Sequence, residues 1–395
     1  VSEQATARRE NEDSRAGSRL PDLTYTEQET QLRDAVRSVL EEKAEAAAVL
    51  ARTETADTYD AGLWRTLAAE IGCAGLLIPE SYGGAGASYR EAAVVAEELG
   101  RSVAPVPFLG SAVIATTIAL ATGDEELLTK LAAGTTTAAL AVPFVSAPGA
   151  RFAATVRIGV TADGDDAGTY RLSGSVAGIA DALPADVLIV PADGVPFALY
   201  AVAADATGVS RTAVTSLDMT RQLCDLTLEN VAARRIAGGP AADAALAAGL
   251  RAGAGILAAE QLGLAERALE ITLAYVKQRY QFARPVGSFQ ALKHRFADWW
   301  VAVTQARAAS RYAAACLASD DRDVAVAVAL AKSACSDAAV LAGQEMIQLH
   351  GGIGFTWEHP AHLYLKRAKS SALALGTADR HRASLAALVD LPPAS

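Results

Sequence analysis

The residues best equipped for chemistry stand in three C-terminal stretches. The first is Arg279-Tyr280-Gln281-Phe282-Ala283-Arg284-Pro285, followed by Phe289-Gln290. It sets a guanidinium at the end of one apolar-periodic run and an amide near the start of the next. A guanidinium presents a planar fork of donors that fits a pyrophosphate, and it keeps its charge. The second stretch is Gln348-Leu349-His350-Gly351-Gly352-Ile353-Gly354-Phe355. The Gln348 amide both donates and accepts, and a glycine pair lets a ligand come close to backbone. The third, Ala374-Leu375-Gly376-Thr377, offers a hydroxyl and no carboxylate. Singly these carry little meaning. An arginine at a helix end commonly serves the helix dipole, and a glycine pair commonly makes a turn.

Other chemistries find less support. His350, His359 and His362 are close in sequence but have no carboxylate set with them, so no metal site is expected. Cys73, Cys224, Cys316 and Cys335 are widely spaced, with no CxxC, and suit buried thiols in a reducing cytoplasm. The net charge of -10 argues against nucleic acid as a partner. No uninterrupted apolar run reaches the length of a transmembrane helix, so no membrane association is expected. Residues 1–19 are polar with no apolar core, and residues 1–20 are expected to form a disordered tail.

The elements that must position the three stretches are mostly helical. Thr26-Glu27-Gln28-Glu29 has capping-box form and opens a run to about residue 50. A helix is expected over 60–70, then a loop from Gly75 to Gly84, which proline and glycines keep out of a helix. Ser88-Tyr89-Arg90-Glu91 opens another helix, to Gly100, and further helices fit 108–121 and 125–133. Between 135 and 239 short apolar runs punctuated by Gly, Pro and Asp predict strands at 154–160, 170–173, 187–190, 197–202 and 226–228. Helical periodicity returns over 241–281, 292–318, 324–350, 360–372 and 378–389, as an antiparallel four-helix bundle would require.

In this order and spacing the three stretches resemble the acyl-CoA dehydrogenases, and the likeness runs over residues 23–389. Residues 64–84, with Pro79-Glu80-Ser81-Tyr82-Gly83-Gly84, and Glu97-Glu98-Leu99-Gly100-Arg101 are similar to the family's first-domain pattern. The resemblance implies an α+β, mainly α fold. An N-terminal helical domain (21–134) would precede a middle β domain (135–239) and a C-terminal four-helix bundle domain (240–395). It implies FAD as cofactor, bound by Arg279, Phe282, Gln290, Gln348, Gly351, Gly352 and Thr377. Arg279 and Gln290 would reach the FAD of a neighbouring subunit.

The chain departs from that family at the chemistry. Leu375 stands where a glutamate removes the substrate's α-proton, and leucine accepts no proton. The family's alternative base position falls near Gly253, in Arg251-Ala252-Gly253-Ala254-Gly255, again without a carboxylate. Glu260, two turns on, is the nearest candidate for a substitute. Loss of a general base costs about 10²- to 10⁴-fold in rate. The loop Ala141-Val142-Pro143-Phe144-Val145-Ser146 keeps only the proline of the family's flavin-contacting loop. Gly178-Ile179-Ala180 replaces a Trp-Ile-Thr/Ser that stacks on and hydrogen-bonds the ring.

The resemblance therefore implies a subunit that lacks its own base and completes the FAD site of a partner. It points to actinobacterial α2β2 enzymes acting on steroid-CoA side chains, on the segment from Gly354-Phe355-Thr356-Trp357-Glu358-His359-Pro360 to Lys369. The implied partners are an acyl-CoA, a second family subunit in a heterotetramer and an electron-transfer flavoprotein, in the cytoplasm. Two rival expectations are a homo-oligomeric flavoenzyme with other chemistry, such as oxygen-dependent hydroxylation, and a scaffold without cofactor.

Overall fold

The computed structural model describes residues 21–149, 155–160, 170–194 and 196–392. The expected tail over residues 1–20 lies outside the described residues. Helix α1 (Glu27–Lys43) starts at the capping box: Thr26 Oγ1 accepts from Glu29 N–H at 3.1 Å, and Glu29 Oε2 accepts from Thr26 N–H at 2.6 Å. The run expected to reach residue 50 instead breaks at Ala44-Glu45 and restarts as α2 (Ala46–Thr53). The apolar periodicity crosses this break unchanged, so the sequence pattern does not register it. Helix α3 (Ala61–Arg65), capped by Asp60, loosens into a π turn over Thr66–Glu70. Helix α4 (Tyr89–Ser102) has the second capping box and ends at Val103, which takes a left-handed φ of 49°. Phe108–Ala115 is π-helical and leads into α5 (Thr116–Thr122), and α6 (Glu125–Ala132) closes the unit.

The middle unit is a seven-stranded sheet. Strand β1 (Ala138–Leu140) pairs in parallel with β4 (Val187–Ala192), which pairs antiparallel with β5 (Ala198–Ala203). The spine is β7 (Leu223–Gly238), antiparallel to β5, to β6 (Val209–Val214) and to β3 (Tyr170–Ala180), with β2 (Val156–Val160) outside β3. The short runs expected at 170–173 and 226–228 are parts of strands of 11 and 16 residues. Both strands have one wet face. Ser173, Ser175, Asp225 and Thr227 point to solvent between Leu172, Val176, Cys224, Leu226 and Leu228, which dilutes the apolar signal.

The C-terminal unit is the bundle of α7 (Pro240–Gln278), α8 (Gln290–Ala318), α9 (Val324–His350), α10 (Ala361–Leu373) and α11 (Ala378–Leu388). Helix α7 ends at Gln278, three residues before the expected 281. Tyr280–Gln281 and Arg284–Pro285 form a small hairpin, β8 and β9, instead. Pro285 cannot extend the helix, and Phe282 and Ala283 turn the chain at φ 51° and 58°. Helices α7 and α9 are long and apolar enough to cross a membrane by length and composition, which the sequence pattern did not predict. Both are mostly buried against their neighbours, so packing inside the bundle accounts for their apolar character. Two glycines join the bundle to the first unit. A Cβ on Gly100 of α4 would strike the Glu260 carbonyl of α7, and one on Gly263 of α7 would strike the Glu97 carbonyl of α4. The two backbones therefore touch, and this contact fixes where Glu260 sits.

Candidate functional site

The expected site residues fall into two regions with opposite character. The outer region is built by the ends of α7 and α9 and the start of α8. Arg279 caps α7, with its backbone N–H on the Tyr275 carbonyl at 2.9 Å, and its side chain is exposed. The Tyr275 ring stacks on His350 at 4.5 Å, and its hydroxyl donates to the His350 carbonyl at 3.3 Å. This contact joins the last turn of α7 to the end of α9. Gln290, the first residue of α8, and Gln348, Gly351 and Gly352 are all exposed. Phe282 is 86% exposed, held out by the left-handed turn and edge-packed on Phe289 at 6.2 Å. A bulky residue at positive φ costs about 1–3 kcal/mol and marks a segment with a purpose.

Gly351 adopts φ 63°, ψ -138°, a conformation open to glycine. Gly352 has no such need. A Cβ there would meet nothing within 4 Å, so this chain's own packing does not require the glycine. The bare backbone is open at this position. An unshielded guanidinium, two amides and a bare glycine pair fit an adenosine pyrophosphate approaching from outside the chain. Thr377 stands apart from them. Its Oγ1 caps α11, accepting from Arg380 N–H at 3.3 Å. Lys332 touches neighbouring Gly376, and the helix between Lys332 and Gln348 is about 24 Å long.

Three histidines brace the outer region. His350 Nδ1 lies 2.7 Å from the Met346 carbonyl, so it carries the proton, and the buried Nε2 has no partner. Its ring lies 4.4 Å from that of His359. His359 Nδ1 accepts from Ala361 N–H at 3.2 Å, and His362 Nε2 donates to the Trp357 carbonyl at 3.3 Å. Burial lowers all three pKa values. Among the described residues no cluster of His, Cys, Asp and Glu is arranged to hold a metal.

The inner region gathers the segments expected to touch a flavin ring, and they are tied to one another. The Phe144 N–H donates to the Gly178 carbonyl at 2.9 Å, and the Leu375 N–H donates to the Phe144 carbonyl at 2.7 Å. Leu375 is 1% exposed, at φ 53°. A Cβ on Gly253 would lie 3.1 Å from Leu375 Cδ1 and 2.7 Å from Ile114 Cγ1. Both positions at which a base was sought thus meet at one apolar contact. The Arg221 guanidinium stands 5.2 Å from the Phe144 ring centre.

Behind it lies a buried charge cluster that sequence reasoning missed. Glu260 Oε2 accepts from Arg221 Nη2 at 2.6 Å, and Oε1 accepts from Arg367 Nε at 2.8 Å. Arg367 Nη1 donates to Thr220 Oγ1 at 3.1 Å and lies 3.6 Å from Asp218 Oδ2. Asp181 Oδ2 accepts from Gly110 N–H at 3.1 Å. Burial pushes the Glu260 carboxyl up, but the Arg221 and Arg367 guanidinia outweigh it and hold the group below the usual carboxylate range. Glu260 is therefore a clamped anion, and the expectation that it could substitute for the base is corrected: a carboxylate held by two guanidinia is a poor proton acceptor. Nearby, Lys332 Nζ donates to Ser336 Oγ at 2.9 Å and to the Ser371 and Gly376 carbonyls at 3.0 and 3.3 Å. Burial pushes Lys332 down to about 7.

A small cavity of about 10 Å³ lies beside the charge cluster, lined by Tyr59, Val106, Asp181, Thr220 and Arg221. A cavity of about 410 Å³ lies elsewhere, among Arg37, Glu98, Arg101 and Tyr364, and no expected site residue lines it.

Comparison with known proteins follows this architecture. The family model described as Acyl-CoA dehydrogenase, N-terminal domain matches residues 26–137, and that described as Acyl-CoA dehydrogenase, C-terminal domain matches 242–389. A Mycobacterium tuberculosis protein named acyl-CoA dehydrogenase IpdE2 is 38% identical over 351 residues, covering 89% of this chain and 93% of the relative. The crystal structure of the ChsE4-ChsE5 complex from Mycobacterium tuberculosis contains a chain with a TM-score of 0.83 and 27% identity, covering 95% of this chain and 100% of that one. A variant of the Tcur3481-Tcur3483 steroid ACAD gives a TM-score of 0.79 at 31% identity, covering 92% and 98%.

Proposed function

The chain belongs to the acyl-CoA dehydrogenase family of oxidoreductases, and we propose that within it this chain is the non-catalytic member of a two-subunit enzyme. The enzyme dehydrogenates an acyl-CoA thioester between its α and β carbons. FAD, held mainly by a second family subunit, supplies the hydride acceptor. The α-proton goes to a carboxylate of that second subunit, since this chain presents none at Leu375 or Gly253. An electron-transfer flavoprotein restores the oxidised cofactor.

This chain's share is binding and orientation. Arg279 pairs with the cofactor's pyrophosphate, where a charge-assisted bidentate bond is both strong and directional. Gln290 and Gln348 hydrogen-bond its polar edges, Gly351 and Gly352 admit it against bare backbone, and Phe282 packs beside it. The observation that carries the reading is the contrast between the two regions. The outward-facing set is exposed, whereas Leu375 and Gly253 meet at an apolar contact beside Ile114 and Glu260 is held by Arg221 and Arg367. The likeness to the ChsE4-ChsE5 complex supports a two-chain assembly, and that to the Tcur3481-Tcur3483 steroid ACAD supports a steroid-derived acyl chain.

The test is turnover of an acyl-CoA by the complex reconstituted with Arg279→Ala in this chain. The reading expects loss of cofactor and of turnover, restored in part by excess FAD. Unchanged cofactor content and turnover would contradict it.

A further inference from the structure

We propose that the buried charge cluster is this chain's keystone, tying its three units together, so that the chain folds and stays folded with no cofactor of its own. The inference rests on the reading above in one respect, that this chain holds no FAD of its own.

The members come from every unit. Asp181, Asp218, Thr220 and Arg221 belong to the segments flanking the sheet, Glu260 to α7, Lys332 to α9, and Arg367 and Ser371 to α10. Gly110, whose N–H reaches Asp181, belongs to the π-helical segment of the first unit. The charged core of the cluster is paired. Two acids (Asp218, Glu260) meet two bases (Arg221, Arg367), each no more than 5% exposed, while Lys332 is held by Ser336 and the Ser371 and Gly376 carbonyls. A buried ion is tolerated only when paired and hydrogen-bonded, and removing one partner leaves the other stranded. Glu260 is the hub, with one carboxylate oxygen on each guanidinium. Arg221 Nη1 reaches Ser371 Oγ at 3.5 Å, and the Ser371 carbonyl accepts from Lys332. The pairs therefore form one connected body rather than separate bridges. Glycine at 110 keeps the first unit within reach, since a Cβ there would lie 2.6 Å from Asp181 Oδ2.

The experiment is thermal unfolding of this chain purified alone. An Arg279→Ala background silences the outer set, and each variant is measured with and without added FAD. The keystone predicts that Glu260→Gln lowers the midpoint by about 5 °C or more and that FAD shifts no midpoint. If Glu260→Gln yields no folded protein while Arg279→Ala alone does, the keystone is supported. Thr220→Val, which removes only the hydroxyl between Arg367 and Asp218, then gives the graded version, a fall of about 2 °C. A Glu260→Gln midpoint within about 1 °C of its parent would overturn the proposal, as would a rise of several degrees with FAD. Cofactor counting in the two-subunit complex separates the claims. A flat Glu260→Gln result with one FAD per two chains overturns the keystone alone. One FAD per chain beside a lowered midpoint overturns the partner reading and leaves the cluster's structural role standing.

Discussion

Leu375 and Gly253 face each other across a gap that a single methyl would close: a Cβ on Gly253 would come within 3.1 Å of Leu375 Cδ1. They are 122 positions apart in sequence, yet the fold brings both positions where the resemblance expects a base to one apolar spot beside Ile114. Restoring a carboxylate there is therefore not a single-residue repair. Leu375→Glu would bury an acid among apolar groups, at a cost of about 2–7 kcal/mol if it finds no partner. The expected outcome is a lowered unfolding midpoint and no acyl-CoA oxidation by this chain alone. Turnover by the isolated variant would show that the pocket still admits a thioester and a flavin.

Arg279 sits on the surface and contributes little to the fold. Arg279→Ala should leave the unfolding midpoint within about 1 °C, as surface substitutions do. In the assembled complex it should weaken FAD binding about 10- to 100-fold, the worth of a charge-assisted hydrogen bond. Titration of the cofactor-depleted complex with FAD measures this. Equal affinities for parent and variant would remove Arg279 from the site.

Acid should loosen the loop that carries Gly351 and Gly352. The His350 ring packs on both His359 and Tyr275, and His362 packs edge-on against Trp357, whose ring also carries the Lys366 ammonium. Burial lowers each imidazole below its unfolded value. The unfolded chain therefore binds more protons, and stability falls as pH drops below about 6.5. The loss continues until the folded groups titrate. Unfolding midpoints between pH 7.5 and 5.5 check this. His359→Gln, which keeps an acceptor and removes a titrating group, should flatten the slope. An unchanged slope would assign the acid sensitivity elsewhere.

The α4–α7 contact is a backbone contact, so neither partner can give way. Gly100→Ala and Gly263→Ala should each cost about 1–3 kcal/mol or more, with Glu260 displaced from its guanidinia. Chemical denaturation measures both. A neutral result would mean that the helices separate freely.

Local signals were legible where one short segment decides the outcome. Both capping boxes and the order helical, β, helical can be read from residues a few positions apart, whereas the helix expected to stop at Gly100 runs on to Ser102 and ends at Val103. The break at Ala44 and the π turns at Thr66–Glu70 and Phe108–Ala115 could not, because the apolar pattern runs through them. The hairpin after Gln278 was hidden by the helical run before it. The outer set was named from residue types and spacing, and the structure leaves Arg279, Gln290, Gln348 and the glycine pair exposed. The inner cluster was not. Arg221 finds Glu260 across 39 residues, and Arg367 finds Thr220 across 147. In the sequence Asp218-Met219-Thr220-Arg221 looks like any polar loop, and Arg367 like any charge on a helix.

The measurement that bears most directly on this account is the FAD content and subunit mass of the chain, purified alone and then co-expressed with a second family subunit that carries a base. The account predicts a colourless protein alone and a yellow complex with about one FAD per two chains, because only an assembled interface joins the outer set to a held ring. A yellow protein alone, with one FAD per chain, would contradict it.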